Sequence, residues 1–142
     1  STIRELLLQG QLEKANELLG HRYQLRGEVV KGRLLGKKLE FPTANLYISN
    51  SAKLLPKDGV YAVDVKVDEK FYRGMLNIGF RPTVNHSTQR TVEVHIFDFT
   101  RDIYGQQITV YFKKRLRDEK KFKNLEELKK QLTKDKEQSL KI

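Results

Sequence analysis

One short stretch of the chain, Phe41-Pro42-Thr43-Ala44-Asn45, combines residue types that could bind a metal ion. Pro42 fixes its own φ and favours an extended backbone at the residue before it. Residues two apart on an extended chain point to the same side, so the Thr43 hydroxyl and the Asn45 amide can offer two neutral oxygens to one cation. Mg²⁺ prefers oxygen ligands and commonly shares its site with substrate phosphates. Taken alone, such a short motif is more often only a turn between strands.

The segment before this stretch, residues 27–38, is rich in glycine and lysine. Glycines let a backbone approach an anion closely, and Lys37 and Lys38 add positive charge. The segment is not a Walker loop, because Gly32 and Gly36 are one residue too close together and no Ser or Thr follows the lysine. An anion such as a phosphate could still bind here.

Glu93 lies in a segment of alternating residues, 90–97, whose members are largely apolar or aromatic. Periodicity alone favours a solvent-facing strand position for this residue. The functional alternative is a general base that takes a proton from an acceptor hydroxyl. His95 shares the predicted face of Glu93, but the three histidines of the chain have no metal-ligand spacing, so we expect no zinc site.

The composition bounds the class of protein. The 142 residues suffice for one ordinary domain, and the absence of Cys excludes disulfides and thiolate metal sites. No apolar run approaches a membrane span and the first residues are not a signal peptide, so we expect a cytoplasmic protein without a membrane partner. The net charge of +10 would suit nucleic acid, an anionic membrane or a phosphorylated small molecule. Much of it lies in residues 113–141, where a solvated helical face is the ordinary explanation.

Helices are predicted at both ends of the chain. Thr2 and Glu5 form a capping-box pattern, and Gly20 is suited to end the helical region that Gly10 interrupts. Near the C-terminus, Asn124 and Glu127 predict a helix start. The apolar stripe of that helix is Leu125, Leu128 and Leu132.

Between these helices the apolar period changes to two, which indicates strands. The predicted strands cover residues 25–31, 60–67, 71–78, 90–97 and 108–112, with a loop over 32–45. In the clearest of them, Tyr61, Val63, Val65 and Val67 share one face. Short antiparallel strands followed by a helix predict a small barrel.

These motifs, read together, resemble the riboflavin kinase family. The nucleotide-binding part of the resemblance is Gly27-x-Val29-Val30-x-Gly32, Gly36-Lys37 and Phe41-Pro42-Thr43-Ala44-Asn45-Leu46. It continues in order through Asn77-Ile78-Gly79-Phe80-Arg81-Pro82-Thr83, Val92-Glu93-Val94-His95, Asp102-Ile103-Tyr104-Gly105 and Leu116-Arg117-Asp118-Glu119-Lys120-Lys121-Phe122. The resemblance implies a mainly β fold, a six-stranded antiparallel Greek-key barrel with a C-terminal α-helix and a short helical N-terminal extension. It also implies transfer of the γ-phosphoryl of ATP to the 5′-hydroxyl of riboflavin, which gives FMN and ADP.

The resemblance also implies roles for individual residues. Glu93 would be the catalytic base, and Thr43 and Asn45 would hold Mg²⁺. The implied ATP-binding residues are Gly32, Lys37, Thr43 and Asn45, and the implied flavin-binding residues are Arg117, Glu119, Lys120, Phe122 and Tyr104. Asn77 and Arg81 would support the phosphate side.

Glu40 departs from the family pattern, which usually has Gly before Phe41-Pro42. A carboxylate beside the phosphates of ATP would repel them, so we expect this side chain to face away from the nucleotide. Glu40→Gln should then change ATP affinity by less than about tenfold.

The first four residues, Ser1-Thr2-Ile3-Arg4, resemble the end of a signature found in FMN adenylyltransferase modules. In the bifunctional bacterial flavin enzymes that module precedes the kinase. The resemblance therefore implies that residues 1–22 are a helical linker from an N-terminal adenylyltransferase module, and that residues 23–142 are the riboflavin kinase domain.

Two alternatives compete with an active kinase. One is a small basic β-barrel that binds RNA or single-stranded DNA, which needs aromatic side chains on one strand face with cations around them. Tyr61, Phe71 and Tyr72 are the nearest candidates for such a face. The other is a kinase-like barrel that has lost activity, with Glu40 as the reason. We expect ATP and riboflavin, and no nucleic acid, as partners.

Overall fold

The computed structural model describes residues 2–30, 43–50, 53–82 and 88–142, without the side chains at 81, 82, 88 and 89. Two short helices come first, α1 (Ile3–Leu8) and α2 (Leu12–Leu19). Six strands follow: β1 (Gln24–Val30), β2 (Ala44–Tyr47), β3 (Gly59–Val67), β4 (Lys70–Pro82), β5 (Thr88–Ile96) and β6 (Gln107–Arg117). The last element is helix α3 (Leu125–Leu140). None of the described helices is long and apolar enough to span a membrane.

The six strands form a closed antiparallel barrel in the order β1-β2-β5-β4-β3-β6. Sequential hairpins join β3 to β4 and β4 to β5, whereas β2 pairs with β5 and β6 pairs with both β3 and β1. The predicted barrel is confirmed. Strand β2 begins inside the stretch that periodicity had assigned to a loop, and it supplies the sixth strand that the family resemblance implied.

The barrel interior is filled by the alternating apolar residues of its strands. On β3, the side chains of Tyr61, Val63, Val65 and Val67 all point inward and are at most 1% exposed, as their alternation predicted. The Tyr61 ring meets the Phe112 ring edge-on, with ring centroids 5.1 Å apart. Each large apolar side chain buried in this way contributes about 1.5–3 kcal/mol to stability relative to an exposed position.

Helix α3 covers part of the outer barrel surface. Leu128 and Leu132 pack against Met75 and Phe97, which point outward from β4 and from the end of β5. Asn124 caps the helix as predicted, because its side chain accepts a hydrogen bond from the Glu127 backbone N–H. Leu125 is 47% exposed, so its predicted place in the apolar stripe is wrong. It occupies the first turn of α3, before the helix reaches its contact with the barrel.

Helices α1 and α2 belong to the same apolar core as the barrel, to which they contribute Leu6, Leu7, Leu12 and Ala15. The Asn16 side chain ties α2 to the sheet, since its amide donates to the Phe112 carbonyl at 3.1 Å and its oxygen accepts from the Tyr23 backbone N–H at 2.9 Å. The predicted caps are confirmed. The Thr2 side chain accepts from the Glu5 N–H, and Gly20 ends α2 with a φ of +79°.

Two buried tyrosines make the fold sensitive to alkaline pH. Burial raises the pKa of Tyr23 and of Tyr61 above its ordinary value, and their hydroxyls donate to the Leu54 and Lys57 carbonyls. Above about pH 10 the phenols of the unfolded chain ionise while the folded ones keep their protons, so stability falls as pH rises toward the folded pKa.

We therefore expect Tyr61→Phe to flatten this alkaline loss of stability. At neutral pH the variant should be about 1 kcal/mol less stable than wild type, because it loses one hydrogen bond. Urea unfolding at neutral pH and at alkaline pH measures both effects. Parallel stability–pH curves for the two proteins would contradict the assignment.

Candidate functional site

Three polar side chains form a row across neighbouring strands of the barrel. Glu93 on β5 is paired directly with Asn45 on β2 and with Asn77 on β4. Directly paired residues project from the same face of a sheet with Cβ atoms about 4.5–5.5 Å apart. The row lies on the outer face of the barrel, since the intervening residues Val92 and Val94 belong to the core.

Glu93 is only 8% exposed. The solvent-facing position that periodicity favoured for it is therefore wrong. The Glu93 side chain projects from the outer face of the barrel, as the alternation indicated, but this part of the outer face is not exposed to solvent. His95 and Phe97, which share the face, are buried as well, with ring centroids 5.4 Å apart.

The row contains polar oxygens that the described protein does not satisfy. Among the described residues, the buried Oδ1 atoms of Asn45 and Asn77 have no hydrogen-bond partner. An unsatisfied buried acceptor costs about 1–3 kcal/mol. Such atoms are rare in folded proteins and indicate a bound ligand, ion or water.

A hard divalent cation fits these oxygens. The Asn45 Oδ1 and the hydroxyl of Thr43, the half-buried residue just before β2, are the neutral oxygen donors that Mg²⁺ accepts. Among the residues that the structure describes, no group of three or more His, Cys, Asp or Glu side chains could hold a metal ion. A cation here would therefore depend on Thr43 and Asn45 together with water and the oxygens of a bound phosphate.

A cavity of about 250 Å³ opens beside the row. Its walls come from β1, the start of β2, the inner face of β5 and the loop 99–104; the lining residues are Val29, Val30, Thr43, Ala44, Val94, Ile96, Phe99, Arg101, Asp102, Ile103 and Tyr104. The volume is somewhat below the roughly 300–1,000 Å³ of sites that enclose a whole ligand, so it suits one part of a nucleotide. Ala44 and Val94 face the cavity and the next residues, Asn45 and Glu93, form the row. Thr43, which also lines the cavity, is two residues from Asn45 of the row.

The loop that closes the cavity is fixed to β1. The Gly105 N–H donates to the Val29 carbonyl at 2.8 Å, and the Val29 N–H donates to the Gln106 carbonyl at 2.9 Å. Within the loop, the Tyr104 N–H donates to the Asp102 carboxylate at 2.9 Å, which is an Asx turn. Tyr104 is 61% exposed. The structure places this predicted flavin-binding residue at the cavity with Thr43.

A second segment borders the row from the direction of β4. The Glu119 carboxylate lies over Gly79, where an added Cβ would come within 2.1 Å of Oε1. Gly79 follows Asn77 by two residues, so the two positions share the outer face. Any side chain larger than that of glycine at position 79 would clash with this carboxylate. The contact places the segment 118–122 beside the row.

The other predicted flavin-binding residues differ in their surroundings. Arg117 is engaged with Asp135 of α3 through two hydrogen bonds of 2.8 and 2.9 Å. Lys120 is exposed and donates to the Gln131 side chain at 3.3 Å, and Phe122 is half-buried. Their roles toward a flavin remain predictions.

Several predictions fall outside the described residues. The predicted phosphate-binding Gly32 and Lys37, together with Glu40, lie in the stretch 31–42, and the side chain of Arg81 is likewise not described.

Two charged residues of the site were missed in the sequence. Asp135 is completely buried and Arg115 is linked to Asp118, whose pKa it holds below the ordinary value by a hydrogen bond of 2.7 Å and by its positive charge. A sequence signal for Asp135 existed. It continues the helical stripe of Leu128 and Leu132, and a carboxylate on an apolar stripe needs a buried cation as partner.

The aromatic face that a nucleic-acid-binding barrel would need is not formed by the predicted residues. Tyr61 is fully buried, and Tyr72 packs edge-on against Phe99 at 4.9 Å. Only Phe71 lies on the outer surface, at 56% exposure, where its ring is 5.4 Å from that of Tyr111. Arg22 and Lys66 flank these two rings.

Comparison with known proteins identifies the family. A family model described as riboflavin kinase matches residues 19–142. A bifunctional riboflavin kinase/FMN adenylyltransferase from Bacillus subtilis is 41% identical over 142 residues, which are 99% of this chain and 45% of the relative. The RNA-binding riboflavin kinase RibR of the same organism is 45% identical over 112 residues, 78% of this chain and 47% of that protein. The chain thus spans about half the length of the curated relatives it matches.

Two solved structures share the fold. A riboflavin kinase from Trypanosoma brucei superposes with a TM-score of 0.56 at 25% identity, over 83% of this chain and 77% of that one. A structure described as a macrolide-efflux protein from Streptococcus pneumoniae superposes with a TM-score of 0.88 at 40% identity, over 95% of this chain and 44% of that one. The family model covers most of the chain, and the polar row contains Asn45, Asn77 and Glu93 from the motifs of the resemblance. The chain therefore belongs to the riboflavin kinase family.

Proposed function

We propose that this chain transfers the γ-phosphoryl group of ATP to the 5′-hydroxyl of riboflavin, which gives FMN and ADP. The observation that carries the proposal is the row of Asn45, Glu93 and Asn77, in which two buried oxygens have no hydrogen-bond partner among the described residues, together with a cavity that suits one part of a nucleotide and the segment 118–122. Phosphoryl transfer needs positioning and charge stabilisation more than covalent chemistry. The row would supply the positioning, and a cation held by Thr43 and Asn45 would supply the charge.

In the proposed reaction the nucleotide base occupies the cavity and the phosphates run past Thr43 toward Asn45. Riboflavin approaches from the side of Glu119, with its 5′-hydroxyl next to Glu93. The hydroxyl oxygen bonds to the γ-phosphorus as its proton passes to the Glu93 carboxylate. The bond from the γ-phosphorus to the β–γ bridging oxygen breaks, and its electron pair leaves with ADP. Burial of Glu93 keeps competing water away from this proton transfer.

Thr43 and Asn45 are the residues that would hold Mg²⁺, because their oxygens are the neutral donors beside the proposed phosphate path. When bound, the ion supplies positive charge against the phosphate oxygens. Asn77, on the other side of Glu93, would orient the hydroxyl through its Oδ1, which has no hydrogen-bond partner among the described residues. Gly32 and Lys37 remain candidates for the phosphates on the strength of the sequence motif.

Riboflavin fluorescence tests the proposal directly. We expect the protein to quench riboflavin emission on titration, more strongly with Mg-ADP present, and to convert riboflavin and ATP into FMN in a chromatographic assay. Absence of both quenching and FMN formation would refute the kinase assignment, whatever the protein's other properties.

The Bacillus subtilis relative that matches 99% of this chain is named as bifunctional, and we propose the same organisation for a longer protein that contains this chain. Residues 1–22 would link an FMN adenylyltransferase module to the kinase domain 23–142. We propose the cytoplasm as its location, because its co-substrate ATP is abundant there.

Because we propose that FMN adenylylation belongs to the separate adenylyltransferase module, purified protein of this sequence should form FMN but no FAD from riboflavin and ATP. Separation of the flavins by chromatography after long incubation measures this. A full-length bifunctional relative, assayed in parallel, is the positive control for FAD formation. Accumulation of FAD with this chain would contradict the assignment of the two reactions to separate modules.

A second candidate function is binding of single-stranded RNA, which the exposed Phe71–Tyr111 pair with Arg22 and Lys66 beside it favours. A labelled single-stranded RNA, titrated at two salt concentrations, tests this candidate. Tight, salt-sensitive binding that Phe71→Ala weakens would support it, since phosphate contacts give a strong salt dependence. Binding that is weak, or unaffected by Phe71→Ala, would reject it.

A further inference from the structure

Helix α3 carries a completely buried carboxylate, Asp135, that the proposed reaction does not use. Its Oδ1 accepts from Arg117 Nε at 2.9 Å and its Oδ2 accepts from Arg117 Nη2 at 2.8 Å. A buried ion pair of this kind gives little net stability, because desolvation of the two charges offsets their attraction. Its fork geometry does fix the direction of the guanidinium.

Contacts other than this pair also hold the helix on the barrel. Leu128 and Leu132 pack on Met75 and Phe97. The C-terminal end is tied down separately, since Arg73 donates to the Leu140 carbonyl at 2.8 Å and Lys113 donates to the Ile142 carbonyl at 3.1 Å. The Asp135–Arg117 pair can therefore serve to position a neighbouring segment of the chain as well as the helix.

The contacts around the pair identify the positioned element as the segment 118–122. Arg117 also donates, through Nη1, to the Asp118 carbonyl at 2.9 Å. On the other side, Gln131 donates to Asp135 Oδ1 at 2.9 Å and accepts from Lys120 at 3.3 Å. Asp135 is thus connected to the segment at two points, one at Asp118 and one at Lys120.

This segment is the one that borders the polar row. Glu119 lies between the two connected residues and places its carboxylate over Gly79, beside Asn77. A shift of the segment would move Glu119 relative to Glu93. A displacement of about 1 Å at a positioning element far from the chemistry can cost about 10²-fold in rate or binding.

We propose that Asp135 is a positioning residue for the phosphoryl acceptor. By holding Arg117 and Gln131 it fixes the segment 118–122 against the Asn77–Glu93 side of the row, and it does not itself touch the substrate. The inference rests on the proposed function, because it names the acceptor side of that same site. Arg117 connects Asp135 to the segment, since two of its nitrogens donate to the Asp135 carboxylate and a third donates to the Asp118 carbonyl.

Asp135→Asn tests the proposal in the full chain. The amide keeps the shape of the carboxylate but offers one acceptor oxygen to Arg117 in place of two. We expect the dissociation constant for riboflavin, from fluorescence quenching, to rise about 10–100-fold, the range for a misplaced binding element. The KM for ATP should stay within about twofold, because none of the residues that line the cavity belongs to α3. Glu137→Gln, at an exposed carboxylate of the same helix, is the matched control and should change neither constant.

A second variant covers the case in which Asp135→Asn folds poorly because Arg117 loses its counter-charge. Gln131→Ala leaves the ion pair intact and removes only the connection to Lys120, so it should fold and raise the riboflavin constant by a smaller factor. Asp135→Glu keeps the charge and should recover part of the affinity. The proposal is overturned if riboflavin binding is unchanged in Gln131→Ala and in folded Asp135→Asn, or if ATP and riboflavin affinities fall together with thermal stability. A wild-type protein that neither binds nor phosphorylates riboflavin would instead refute the proposed function.

Discussion

Glu93→Gln is expected to lower kcat by about 10²–10⁴-fold, the range for loss of a general base. Glutamine keeps the size and the hydrogen-bonding reach of the side chain but cannot take the proton of the 5′-hydroxyl. The interaction matters mainly in the transition state, so the binding of riboflavin and of Mg-ADP should change little. Steady-state kinetics with fluorescence titration of the same preparation separate these two effects.

The burial of Glu93 makes a stability control necessary for this variant. At 8% exposure, a substitution can act through folding as well as through catalysis. A melting curve of the variant should lie close to that of wild type, because the volume is preserved. Glu13→Gln, at an exposed carboxylate in the first turn of α2, is the control for the chemical change itself and should keep full activity. A folded Glu93→Gln protein with near-normal kcat would falsify the catalytic role.

The burial of Glu93 also marks the limit of what periodicity can predict. The alternation in β5 placed Glu93, His95 and Phe97 on one face, and the structure confirms that face. Alternation is a local property of the chain, however, and does not reveal what covers the outer side of a sheet. Phe97, for example, is covered by α3, which lies at the far end of the sequence, so only the tertiary structure encloses this outer position.

Local signals with a stereochemical cause were the most predictable. The caps at Thr2 and Asn124 and the stop at Gly20 depend on a few neighbouring residues, and all three are confirmed. Strand β2 has only four residues, and two apolar–polar periods are too few to indicate a strand. The register that aligns Asn45 with Glu93 joins parts of the chain distant in sequence, and no local pattern encodes it.

The network behind the segment 118–122 was the least predictable part of the candidate site. Arg117 was recognised as a residue of the flavin motif, but its partner Asp135 is separated from it by a loop and half a helix. A bidentate contact across such a distance depends on how α3 docks, which no local pattern encodes.

Asn45→Ala is the second substitution with a large expected effect. It removes an oxygen that we assign to Mg²⁺ and, through it, to the phosphates of ATP. Because metal charge is worth several kcal/mol in a transition state, kcat/KM should fall by about 10²-fold or more. The melting temperature should hardly change, since the Asn45 Oδ1 has no hydrogen-bond partner among the described residues and its removal breaks no such bond. Loss of function without loss of stability is the signature of a ligand-binding group.

Asn16→Ala is the control, because this asparagine is expected to contribute to stability and not to activity. Asn16 bridges α2 and the barrel through hydrogen bonds to Phe112 and Tyr23. Asn16→Ala should therefore lose about 1–3 kcal/mol of stability and keep kcat/KM at temperatures where it is folded. Asn45→Asp, which retains an oxygen and adds charge, should recover part of the activity and shift the Mg²⁺ concentration at half-maximal rate. If Asn45→Ala is as unstable as Asn16→Ala, or keeps its dependence on Mg²⁺ and its rate, then Asn45 is a structural residue of β2 and the cation is held elsewhere.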